Sequence, residues 1–156
     1  MLWLKFVLGA LVIAFCTLLG YFAAGKYRSR KSFFTQLYAF NEKYLAELKF
    51  SRKPLSLFLK EFSFSGDMAA TFGEFQKSRA IKVNYSYLTE SEQKFAAEYL
   101  NMLGRGDSHS QSGYFSAQAA GLLESKKKSE ADAKSYTDLY LKLGLLAGLA
   151  FVILIV

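Results

Sequence analysis

The chain has 156 residues, 52% of them apolar, and a formal net charge of +7. That length holds one domain at most once an apolar segment at each end is set aside. With Cys16 its only cysteine and His109 its only histidine, the composition excludes a disulfide framework and a cysteine-bound metal cluster.

The first predicted element is the run Phe6 to Ala24, FVLGALVIAFCTLLGYFAA, about 19 residues without a formal charge. At about 1.5 Å per residue this approaches the roughly 20 residues that span a hydrocarbon core, so residues 2–24 read as a transmembrane helix. Lys26, Arg28, Arg30 and Lys31 crowd its C-terminal edge, which holds the downstream side in the cytoplasm. A cleaved signal peptide, with Ala23 and Gly25 at the processing site, is the competing reading. The run outlasts the usual h-region of about 7–15 residues, and a basic cluster straight after a cleavage site resists export. Permanent anchoring is preferred.

Residues 25–135 then read as a cytosolic helical domain. The chain carries 15 Phe and 10 Tyr, and Phe33, Phe34, Phe58, Phe62, Phe72, Phe75 and Phe95 supply this stretch with bulk for a core. A first amphipathic helix is predicted from Ser32 to Phe50, with Phe34, Leu37, Asn41, Tyr44, Leu45 and Leu48 on its inner face. Pro54, the only proline, opens the next, where Leu55, Phe58, Leu59 and Phe62 recur at helical spacing. Asp67 is placed as the cap of a third helix that turns Met68, Phe72 and Phe75 inward. Ile81, Val83, Tyr85 and Tyr87 then alternate with polar residues, a period-two pattern. A lone strand has no ladder partner, so the segment reads as an extended link or as a helix overriding its pattern. Thr89 with Glu92 forms a capping box for a helix that packs Phe95, Ala96, Tyr99, Leu100 and Leu103 and stops at Gly104.

Asp107-Ser108, with Gln111 three residues after Ser108, starts one long helix to the end of the chain. Tyr114, Ala117, Gly121 and Leu122 are expected to pack on the domain, and ESKKKSEADAKSYTD after them is polar on every side. Residues 136–156 form a second, shorter span if Lys142 snorkels; a C-terminal core helix is the alternative. Gly9, Gly20, Gly144 and Gly148 are where two membrane helices can approach closely. The fold class is therefore all-α, a small helical bundle inserted between N-terminal and C-terminal transmembrane helices, with both termini outside.

Chemistry is sparse. His109 follows a helix cap, the glycines of Gly104-Arg105-Gly106 lack the strand and GK[ST] of a phosphate loop, and the capping box accounts for Glu92. Neither an enzyme nor a cofactor site is expected. The positive charge sits beside the apolar ends, where anionic lipid explains it better than nucleic acid does.

Leu45-Ala46-Glu47-Leu48-Lys49-Phe50, Pro54-Leu55 with Leu59, Leu103-Gly104 with Asp107 and Gln111, and Tyr140-Leu141-Lys142-Leu143-Gly144 resemble, in that order, the stage III sporulation protein AB family of endospore-forming Firmicutes. That family's cytosolic domain is similar to the inner-membrane platform protein of type II secretion and type IV pilus systems. The resemblance implies a non-enzymatic scaffold in the mother-cell membrane, part of the channel joining mother cell and forespore. Its implied partners are membrane lipid, other channel subunits and a cytosolic secretion-type ATPase like stage III sporulation protein AA, with no small-molecule substrate. Glu47 is the expected partner contact, while Asp107 and Gln111 are weighed as setting the start of the last helix. A stand-alone pilus or type II secretion-like platform is the alternative.

Overall fold

The computed structural model describes residues 2–51, 53–78 and 81–155. The helices are α1 (Leu2–Ala23), α2 (Gly25–Ala46), a π-helical turn (Glu47–Ser51), α3 (Leu55–Glu61), α4 (Gly66–Ser78), α5 (Glu90–Met102) and α6 (Ser108–Ile155). No strand occurs among the described residues. The chain divides into two compact units, Met1–Ser29 with Ser129–Val156, and Arg30–Lys128.

In the first unit α1 lies antiparallel to the end of α6. Two helices come this close only where side chains are absent. A Cβ on Gly144 would stand 2.6 Å from the Cys16 carbonyl oxygen, and one on Gly20 would stand 2.4 Å from that of Tyr140. Gly148 faces Ile13 and Gly9 faces Val152 in the same register. At the open end of the pair, the rings of Tyr27 and Tyr136 stack with centroids 4.1 Å apart. The outer faces carry exposed Trp3, Phe6, Leu11, Phe15, Phe22, Leu146 and Phe151. Both helices are long and apolar enough to cross a membrane.

The second unit is a helical bundle around an aromatic core. Phe40 of α2 is its hub, with the rings of Tyr44, Phe58, Phe62, Phe64 and Phe72 at 4.8–5.7 Å. Offset and tilted ring pairs at these distances add to the burial of aromatic area. The inner face of α2 is Phe33, Phe34, Leu37, Phe40, Asn41, Tyr44 and Leu45, wider than the predicted stripe by Phe33 and Phe40. The helix predicted for Ser32–Phe50 starts earlier and closes at Ala46, where the π turn takes over. Pro54 precedes α3, its carbonyl accepting from the amides of Leu57 and Phe58.

Asp67 lies inside the first turn of α4 rather than at its cap. Its carboxylate instead accepts the Tyr87 hydroxyl at 2.7 Å, and that contact belongs to the extended segment 81–89. Ile81 and Val83 are buried and Tyr85 and Tyr87 half-buried against the core, while Lys82, Asn84 and Ser86 are exposed, so the period-two pattern holds from 81 to 87 without a sheet, and the buried Leu88 ends it. Side chains replace the missing ladder. Asn101 accepts the Ile81 amide at 3.4 Å, and the Gln93 amide group donates to the carbonyls of Tyr85 and Leu88 at 2.9 and 3.2 Å. The Ile81 amide and the Tyr85 and Leu88 carbonyls, which a single strand would leave without a ladder partner, are thereby satisfied.

Candidate functional site

A π turn, Glu47–Ser51, follows α2. A π turn widens the backbone by one residue and recurs at functional positions, and here it carries Glu47. The Glu47 Oε2 atom is buried with no hydrogen-bond partner among the described residues. Beside it lies a cavity of about 240 Å³ lined by Lys43, Ala46, Glu47, Phe58, Glu61 and Phe62. The local cations are already engaged. Lys43 places its Nζ 4.9 Å from the centre of the Phe62 ring, and Lys53 donates to Glu61 at 3.0 Å. That bond and the charge of Glu61 raise the pKa of Lys53, with a smaller contribution from Glu47.

Apolar exposure gathers around the same turn. Among the described residues of the bundle, the exposed large apolar side chains are Phe50, Leu57 and Met102, and Phe50 is 85% accessible. The turn after α5 closes against this end. A Cβ on Gly104 would meet Leu55 at 3.0 Å, and Gly104 has a φ of +72°, which a residue with a Cβ rarely adopts. The Ser108 hydroxyl donates to the Leu48 carbonyl at 3.3 Å.

The other residues singled out in the sequence hold this end in place. Leu45 and Leu103 are buried, and Leu55 packs against the core. Asp107 closes the start of α6, its carbonyl accepting the Gln111 amide at 3.0 Å and its carboxylate accepting the Ser110 hydroxyl. The Ser110 bond is the largest influence holding the Asp107 carboxyl below its usual range. Gln111 is not the second half of a capping box. It is buried, accepts the Tyr44 hydroxyl and donates to the Arg105 carbonyl at 3.1 Å. Burial pushes the Tyr44 phenol up to about 12, against a backbone bond from Gly104 that acts the other way. Gly144 lies outside this unit, in the helix pair.

Three features were missed or only partly read in the sequence. Tyr99 donates to Asn41 Oδ1 at 2.8 Å, and Asn41 Nδ2 donates to the Phe115 carbonyl at 3.3 Å, so a buried polar bridge ties α2, α5 and α6. The face of α6 that enters the core is Gln111, Phe115 and Leu122, whereas Ala117 and Gly121 are exposed. Arg30, counted with the basic edge, grips Glu92 of the capping box at 2.6–3.2 Å. The spacing of residues 111, 115 and 122 at helical intervals was the available signal for the α6 face. No signal in the sequence joins Arg30 to Glu92.

Among the described residues no three His, Cys, Asp or Glu side chains converge to hold a metal ion. The family model for stage III sporulation protein AB matches residues 68–156, more than half of the chain. No curated protein and no solved structure gives a significant match.

Proposed function

The chain belongs to the stage III sporulation protein AB family, and we propose on that premise that it is a non-enzymatic platform subunit of the channel between mother cell and forespore. In this reading its paired apolar helices anchor it in the mother-cell membrane, and its aromatic bundle stands on the cytosolic side to dock a secretion-type ATPase. One observation carries the docking reading: the bundle gathers its exposed apolar residues and a buried carboxylate oxygen without a hydrogen bond at a single end, beside an irregular helical turn. A surface of this kind suits protein contact.

The basic residues after α1 support a cytosolic bundle through the charge bias of membrane insertion. Membership of a sporulation family favours the sporulation channel over a stand-alone pilus platform. The test is a pull-down of the full-length chain in detergent with the ATPase, alongside cysteine-accessibility mapping at positions 47 and 92 in spheroplasts. Retention of the ATPase and labelling only after permeabilisation are expected. No retention by the wild-type chain, or labelling from outside, overturns the reading.

A further inference from the structure

We infer that the cavity under the π turn is the receptor for one basic side chain, a lysine or arginine presented by the docked protein, with Glu47 Oε2 as its acceptor. The inference rests on the docking function and gives that surface its chemistry.

A carboxylate oxygen removed from water without a hydrogen bond is costly to the free molecule. Retaining it makes sense where a partner completes it. The cavity of about 240 Å³ gives the incoming group room, and Phe58 and Phe62 contribute apolar lining to it. Such a lining suits a guanidinium or the methylene stem of a lysine. The charge balance points the same way. Of the groups lining the cavity, Glu61 gives Oε2 to Lys53 and Lys43 lies over Phe62, which leaves Glu47 Oε2 as the buried lining oxygen without a hydrogen bond among the described residues. Phe50, in the same π turn as Glu47, and Leu57, next to Phe58, are exposed outside the cavity lining and offer a docked protein apolar contact near it.

A purely structural glutamate and a receptor glutamate respond differently to Glu47→Gln, which keeps the shape and removes the charge. For a receptor, the thermal midpoint of the free full-length chain in nanodiscs is unchanged or raised, while ATPase affinity falls at least about tenfold and loses part of its salt dependence. Glu47→Lys abolishes binding, and reversing one basic residue of the ATPase to Glu restores it. Glu90→Gln, at an exposed pair with Lys94, leaves binding unchanged.

Saturation-transfer NMR with N-acetyl-arginine amide, against N-acetyl-norleucine amide, reads the cavity without the ATPase. A Glu47-dependent signal for the arginine probe alone upholds the receptor even if the ATPase does not bind and the docking function falls. Equal ATPase affinity for wild type and Glu47→Gln overturns the inference and leaves docking intact. So does a midpoint lowered by Glu47→Gln, or, where the ATPase does not bind, an arginine signal that survives the substitution.

Discussion

Arg30 and Glu92 meet side by side, Nη2 to Oε1 at 2.6 Å and Nε to Oε2 at 3.2 Å, while Glu92 Oε2 also accepts the Thr89 amide at 3.0 Å. One carboxylate thus closes the N-terminus of α5 and fastens that helix to the first turn of the bundle on α2. Burial alone would raise the pKa of Glu92, but the Arg30 and Thr89 bonds outweigh it and hold the carboxyl below its usual range.

The sign of the pH effect follows. A carboxyl with a lowered folded pKa contributes stability in full above its unfolded pKa of about 4.5 and loses it as pH falls through the folded value. Urea unfolding of the full-length chain is expected to show a drop in stability below about pH 4.5 that Glu92→Gln flattens. At pH 7 Glu92→Gln is expected to cost about 2 kcal/mol, as for a part-buried charge-assisted bond. Thr89→Ala, which removes half of the capping box, costs about 1 kcal/mol.

Tyr99→Phe deletes the hydroxyl that satisfies Asn41 in a fully buried site. An orphaned buried acceptor costs about 1–3 kcal/mol. Paired with Asn41→Leu in a double-mutant cycle, the two changes are expected to be strongly non-additive, since the second removes the orphan that the first creates. Additive losses in denaturant unfolding would show that the bridge contributes nothing as a unit.

Gly144→Leu is expected to separate the helix pair. Nitroxide labels at Leu8→Cys and Leu154→Cys, in a Cys16→Ala background, should report a short, narrow distance in nanodiscs that this substitution lengthens and broadens. Gly121→Ala is the matched control. Beyond its own helical turns no atom lies within 4 Å of its added methyl, so the distance stays the same and the helix gains up to about 1 kcal/mol from propensity.

Gly104→Ala forces a side chain into a left-handed backbone and against Leu55 Cδ2. A loss of about 1–2 kcal/mol in chemical unfolding is expected, accompanied by weaker ATPase retention, since the Gly104 turn braces the segment that carries Leu55 and Leu57.

The elements that carry their own signature were legible. The Thr89 box, the stop at Gly104, the Phe58 and Leu59 face of α3 and the uniformly apolar α1 are local patterns, set by spacing and capping chemistry within a few residues. Segment 81–89 was half legible. Alternation told that Ile81 and Val83 turn inward and that Tyr85 and Tyr87 lie on the same side half-buried, but it missed Leu88, and whether the backbone could forgo a ladder depended on Gln93 and Asn101, which lie 5 to 20 residues away. The receptor cavity was least visible. Glu47 stood out only through family resemblance, because its unpaired oxygen results from the π turn and from the commitment of Lys43 and Lys53 to other groups. No linear pattern encodes such a vacancy.

The glycines at 20, 144 and 148 let α1 and α6 touch through main chain, with side chains displaced to the outside. Recognition between these two helices is therefore written in what is missing, and the lipid-facing positions are relieved of any duty to specify the partner. Leu, Ile, Val and Phe can be exchanged for one another at those exposed positions without touching the seam. A single added methyl at the seam has no such latitude.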